Sequence, residues 1–253
     1  MSKVITVANQ KGGVGKTTTS VNLSAALADM GKKTLLLDMD PQGNATSGFG
    51  VNKNKLDKTI YDALINEADM KDMIIRTEFG VDMIPANIAL AGAEIELVSM
   101  LSRETRIKRA LSHIRENYDY VLIDCPPSLG LITLNALTAA DSVLIPIQCE
   151  FYALEGVTQL MNTIRLVKNN LNEDLHLEGI VMTMYDSRNK LSFEVTEEVK
   201  KNFKELVYKT TIPRNVRLSE APSYGKPIIA YDKNSTGAVA YANLAKEMIE
   251  SGD

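Results

Sequence analysis

Six short apolar runs recur along the chain: Val4–Ala8, Thr34–Leu37, Val81–Ile84, Tyr120–Ile123, Ser142–Ile147 and Gly179–Met184. Each is continuous rather than alternating, the pattern of a strand buried on both faces. The segments between them repeat apolar positions at helical spacing. Lys16–Met30 carries Val21, Leu23, Ala26 and Leu27 and stops at Gly31, a residue suited to ending a helix. Arg103–Asn117 puts Ile107, Leu111 and Ile114 on one face; Leu129–Ala140, Leu154–Asn170, Leu191–Leu206 and Thr236–Ile249 read the same way. Strands alternating with helices predict one α/β domain over residues 1–253, a doubly wound, mostly parallel sheet flanked by helices. In such sheets ligands sit beyond the carboxyl ends of the strands.

The first of those ends carries Asn9-Gln-Lys-Gly-Gly-Val-Gly-Lys-Thr-Thr-Thr19. It meets the phosphate-loop pattern G-x-x-x-x-G-K-[ST] except at the first glycine, where Gln10 stands, followed by a second lysine, Lys11. Gly12, Gly13 and Gly15 let the backbone point N–H groups at phosphate oxygens, and the following helix adds its positive end. Lys16 is placed to reach the β- and γ-phosphates of ATP, and the Thr17 hydroxyl to bind Mg²⁺. Val14 and Thr18 complete the cradle. The strand context before the loop and the helix context after it both support the motif.

Two aspartate groups end strands on the same edge. Val121-Leu-Ile-Asp124 places a carboxylate where it could hold Mg²⁺ through water. Leu35-Leu-Leu-Asp38-Met-Asp40-Pro-Gln-Gly43 offers Asp38 to support the metal or the loop, and Asp40 to orient an attacking water. Phosphoryl transfer asks mainly for positioning and charge stabilisation, and these residues with Lys16 supply both.

Composition narrows the output. Hydrophobic residues make up 45% and charged ones 24% of the 253, ordinary globular values. No apolar stretch approaches a membrane span, and the start lacks the charged and apolar regions of a signal peptide. Cys125 and Cys149 lie in apolar runs without metal-ligand spacing and read as buried free thiols of a cytoplasmic protein. The net charge of −4 argues against attraction to nucleic acid over the whole surface. However, ten Lys/Arg against six Asp/Glu between Arg188 and Lys233 leave a local +4, and −8 elsewhere. Arg188, Lys200, Lys204, Arg217 and Lys226 are candidate DNA phosphate contacts, with Lys200 and Lys204 one helical turn apart and so on one face. Without a recognition helix or an aromatic platform, such contact would be independent of sequence and sensitive to salt.

The run Lys11–Thr18, with Asp38-Met-Asp40-Pro-Gln-Gly43 and Ile123-Asp124-Cys-Pro-Pro127, resembles the P-loop NTPases of the deviant Walker A type, which include ParA, MinD and the nitrogenase iron protein. Ile212-Pro-Arg-Asn-Val-Arg-Leu-Ser-Glu-Ala-Pro-Ser-Tyr-Gly-Lys-Pro-Ile228 is similar to the ParA/Soj branch. The resemblance implies a slow, partner-stimulated ATPase that forms an ATP-dependent homodimer, with Lys11 crossing to the partner's nucleotide. It implies adenine near Pro213 and Asn215, and DNA near Arg188, Arg217 and Lys226. It further implies nonspecific binding to double-stranded DNA, a nucleoid-associated location, a ParB/Spo0J-type partner in chromosome or plasmid partition, and a link to replication initiation through DnaA.

Two alternatives stay open: a purely regulatory nucleotide switch acting on DnaA, and a MinD-like membrane-associated positioning ATPase. Against the latter, the end Ala245-Lys-Glu-Met-Ile-Glu-Ser-Gly-Asp253 is acidic and short of apolar bulk, so no membrane binding is expected. The iron-protein branch needs cluster cysteines that Cys125 and Cys149 do not match. With the phosphate loop starting at residue 9, an N-terminal helix-turn-helix domain is not expected either.

Overall fold

The computed structural model describes residues 2–150 and 155–251. Eight strands form one sheet: β1 (Lys3–Val7), β2 (Thr34–Asp38), β3 (Ile75–Arg76), β4 (Val81–Ile84), β5 (Tyr120–Asp124), β6 (Ser142–Gln148), β7 (His176–Tyr185) and β8 (Val207–Pro213). Their order is β3-β4-β2-β5-β1-β6-β7-β8. Every pairing is parallel except that of the two-residue edge strand β3 with β4. The helices are α1 (Lys16–Asp29), α2 (Asn44–Gly48), α3 (Ile60–Ile65), α4 (Leu90–Glu96), α5 (Arg106–Ser112) and α6 (Leu131–Ala139), followed by α7 (Glu155–Asn170), α8 (Lys190–Phe203), α9 (Val216–Glu220), α10 (Ile228–Tyr231) and α11 (Thr236–Ser251).

Alternate residues of each central strand feed opposite cores, because side chains of a strand alternate in direction. Leu35, Leu37, Val121, Ile123 and Ile145 pack with Ile60, Ala93, Leu111, Ala136 and Leu160 from α3 to α7. Leu36, Leu122, Leu144 and Val181 pack on the other face with Leu23, Leu27, Tyr241 and Leu244 from α1 and α11. Both faces are covered, which is why the runs read as continuously apolar.

The expected doubly wound sheet is present, with local differences. Arg103–Asn117 does not form one helix: α5 occupies only Arg106–Ser112, and a 3₁₀ turn follows at Arg115–Asn117. Strands β3 and β8 were not anticipated: β3 has only two residues, and β8, Val207-Tyr-Lys-Thr-Thr-Ile-Pro213, is an edge strand whose apolar run is broken by three consecutive polar residues. Lys204 is not on a helix with Lys200. Helix α8 stops at Phe203, and Lys204 turns at φ 49° so that the chain can enter β8. The expected helix start at Leu154 lies outside the described residues.

Candidate nucleotide site

The loop from Asn9 to Gly15 joins the carboxyl end of β1 to the start of α1. Gly13 and Gly15 adopt φ of 77° and 89°, the left-handed region that side chains avoid, so the tight turn needs glycine at these two places. The loop is braced from neighbouring strands. Asn9 Nδ2 donates to the Pro146 carbonyl at 2.8 Å, and Thr183 Oγ1 donates to the Val14 carbonyl at 2.8 Å. Both braces come from distant sequence, and no local signal pointed to them.

The two lysines of the loop point differently. Lys16 is buried and its ammonium donates to the Lys11 carbonyl at 3.0 Å. Burial lowers its pKa, with the Asp124, Cys125 and Asp40 groups opposing that shift. Lys11 reaches outward instead, with Nζ 3.2 Å from Glu150 Oε2. Both partners are part-exposed, so the pair contributes at most about 1 kcal/mol and holds Lys11 only loosely.

The aspartates converge beside Lys16. Asp38 and Asp124 are opposite one another in the β2–β5 register and both are fully buried. Asp38 Oδ2 accepts from Thr46 N at 2.8 Å and from Thr46 Oγ1 at 2.7 Å, while its Oδ1 accepts from Asp40 N at 3.1 Å. Asp38 therefore holds its own loop with both oxygens. Asp124 Oδ1 accepts from Ser20 Oγ at 2.8 Å, but its Oδ2 is buried with no hydrogen-bond partner. Desolvation first, and then the Asp38 carboxylate, raises the Asp124 pKa, while hydrogen bonds from Ser20 and Thr17 oppose the rise. A bare buried carboxylate oxygen beside a like charge, with the Thr17 hydroxyl adjacent, has the chemistry of a site for a divalent cation. Among the described residues no three His, Cys, Asp or Glu side chains cluster as a metal cage. That fits Mg²⁺, which commonly takes one or two carboxylates together with substrate phosphates. Ser20 was not singled out from the sequence, although its place one turn after Lys16 puts it on the same helix face. Asp40 is buried, and its Oδ1 accepts from Gln42 N at 2.9 Å.

A cavity of about 400 Å³ opens next to the loop, lined by Gly15, Thr18, Thr183, Pro213, Asn215 and Tyr241 among others. It joins two parts of the sequence 200 residues apart that were both expected to meet a nucleotide. Pro213 ends β8, and Asn215 caps α9. Both ends of the Asn215 amide are engaged: Oδ1 accepts from Leu218 N at 3.2 Å, and Nδ2 donates to Thr236 Oγ1 at 2.7 Å.

The basic residues do not form one patch. Helix α8 crosses between the parallel strands β7 and β8, so it runs back toward their amino ends. Arg188 and Arg217 follow the carboxyl ends of β7 and β8, whereas Lys200 and Lys204 sit roughly 20 Å away at the far end of the crossover. Lys226 is exposed beyond α9. Arg188 is gripped by Asp186 through Nε at 3.0 Å and Nη2 at 2.9 Å; Arg217 contacts Glu220 and Asp232; Lys200 contacts Glu197.

A family model for an AAA domain matches residues 2–177. The chain is 62% identical over 253 residues to the sporulation initiation inhibitor protein Soj of Bacillus subtilis, covering 100% of both chains. It is 53% identical over 251 residues to the chromosome partitioning protein ParA of Myxococcus xanthus, covering 99% of this chain and 89% of that one. A solved cobyrinic acid a,c-diamide synthase from Mycobacterium smegmatis, with bound ADP and magnesium, superposes at a TM-score of 0.88. Its identity is 40%, over 100% of this chain and 97% of that one. With its phosphate loop, its paired aspartates and relatives that match over the full length, this chain belongs to the Soj/ParA family of chromosome-partitioning ATPases.

Proposed function

We propose that this chain is an ATP-hydrolysing switch of chromosome or plasmid partition, dimeric with ATP and bound to duplex DNA in that state. The observation that carries this reading is the bare Asp124 Oδ2 beside buried Lys16, at the sheet edge where the phosphate loop ends. Lys16 and the loop N–H groups would hold the phosphates of ATP, with the purine in the cavity near Pro213 and Asn215. Asp124 and Thr17 would hold Mg²⁺, with Asp38 keeping the neighbouring loop in place. The ion, when bound, neutralises charge on the transferring phosphoryl group.

Asp40 would direct a water at the γ-phosphate. Lys11, already turned outward, would reach the nucleotide of a second copy in a role like that of an arginine finger supplied in trans. Two lysine loops repel without a triphosphate between them, which makes dimerisation depend on ATP. The dimer doubles the Arg188, Arg217 and Lys226 contacts, so the nucleotide state sets the affinity for nonspecific DNA and hence nucleoid association. A ParB/Spo0J-type partner would accelerate slow hydrolysis and release the dimer. Contact with DnaA is a further output of the same switch. No described helix is long and apolar enough to cross a membrane.

The synthase neighbour offers a second reading, in which the same nucleotide site serves a synthase. The partition relatives, at 62% and 53% identity against its 40%, weigh against it. The deciding experiment is binding to random-sequence duplex DNA with ATP, with ADP, and by Asp40→Ala with ATP, over a salt series. Tight, salt-sensitive binding with ATP alone, prolonged in Asp40→Ala, supports the partition switch. Equal or absent binding in all states removes DNA as the output.

A further inference from the structure

Helix α6 begins shortly after Asp124, and a helix start leaves N–H groups without intrahelical partners. Gly130, at its N-cap, brings no side chain to satisfy them. Glu94, from α4, does so instead: Oε2 accepts from Leu131 N at 2.9 Å and Oε1 from Ile132 N at 3.2 Å. The carboxylate also meets the positive end of the helix. This approach depends on glycine at 130, because a Cβ there would lie 2.5 Å and 2.8 Å from the two Glu94 oxygens.

The segment leading into α4 is tied to the other aspartate. Ala86 N donates to Thr46 Oγ1 at 3.0 Å, and that hydroxyl donates to Asp38 Oδ2 at 2.7 Å. Residues 86–94 therefore act as a strut. One end is fixed to the Asp38 loop. The other is fixed to the helix that closes the loop from Cys125 to Gly130, which Asp124 opens. Phosphoryl transfer tolerates little misplacement of the groups around it, so the anchor of that loop bears on rate as well as on folding.

We infer that Glu94 is a positioning residue for the phosphoryl-transfer site, fixing the far end of the 125–130 loop by a two-point hydrogen bond that glycine at 130 permits. The inference rests on the ATPase reading above. Glu94 acts through the loop that carries Asp124, and its effect shows in turnover and in Mg²⁺ dependence.

Glu94→Ala and Gly130→Ala cut the same contact from opposite sides, and Glu94→Gln keeps one of the two acceptors. Each would be measured for kcat, for KM, for the Mg²⁺ needed to half-saturate binding of a fluorescent ATP analogue, and for melting temperature. The expected result is a kcat about tenfold lower in both alanine variants, with KM for ATP within about twofold of the starting protein. The Mg²⁺ requirement should rise, the double variant should be no worse than either single one, and Glu94→Gln should recover part of the loss. Variants that melt earlier but keep wild-type kcat and Mg²⁺ dependence would make Glu94 a helix cap alone and overturn the inference. A wild-type chain that hydrolyses no ATP would overturn the ATPase reading itself, and this inference with it.

Discussion

Asp38 and Asp124 stand opposite one another on adjacent strands at the carboxyl edge of the sheet, both fully buried. Desolvation raises both carboxyl pKa values; the Asp38 charge adds to the rise at Asp124, and the Asp40 charge adds to the rise at both. For a group whose folded pKa is raised, stability is fully present below the unfolded value of about 4 and is lost as pH rises through the folded value. The protein without Mg²⁺ should accordingly lose stability between mild acid and mild alkali. Melting curves from about pH 5 to 9 check this. Asp124→Asn, or Mg²⁺ with ATP, should flatten the profile. A profile equally steep in Asp124→Asn would show that this pair is not its source.

Lys11→Ala should leave the single chain able to bind ATP, because Lys16 and the loop backbone hold the phosphates. It should abolish the ATP-dependent dimer, read as mass by light scattering. Glu150→Ala removes only a weak, part-exposed contact of Lys11, so dimerisation should persist or strengthen slightly. A full-strength dimer of Lys11→Ala would mean that Lys11 is a solvated loop lysine.

Asp40→Ala should bind ATP normally and hydrolyse it about 10²-fold or more slowly, the range for loss of a group that handles the attacking water's proton. Its dimer should outlive that of the unaltered chain. Single-turnover kinetics separate the two steps, and unchanged chemistry with slower product release would remove Asp40 from the hydrolytic role.

Arg188→Ala and Arg217→Ala should each weaken DNA binding uniformly across sequences, and each should lower the salt slope by about two in a dimer. Both must first exchange an internal carboxylate for a phosphate: Asp186 for Arg188, and Glu220 with Asp232 for Arg217. Lys200→Ala should have the smaller effect, since α8 carries it to the opposite edge of the sheet. An equal or larger effect for Lys200 would move the DNA path to the amino edge.

Much of this molecule was legible in one dimension. The central strands announced themselves because they are buried on both faces, so each is an unbroken apolar run that needs no context to recognise. The phosphate loop did the same, because Gly13 and Gly15 occupy backbone angles that residues with a side chain rarely adopt and Lys16 follows at fixed spacing. Asp38, Asp40 and Asp124 could be placed at the ligand edge because each ends, or closely follows, such a run.

Other features had no local signature. Strand β8 is only partly buried, and the three consecutive polar residues Lys209, Thr210 and Thr211 at its centre break the apolar run that would mark it as a strand. Lys200 and Lys204 had the spacing of a helix face, yet the need to turn into β8 ended the helix between them. The sequence alone determined the order of elements and the chemistry at each strand end, since both follow from short-range rules of burial and backbone freedom. Only the tertiary structure decided which side chains meet: that Asp124 keeps a bare oxygen while Asp38 does not, that Thr183 braces the loop, and that Glu94 caps α6. Those contacts join residues 37 to 169 positions apart, and parallel strands with long crossovers place such partners together without leaving a mark in either local sequence.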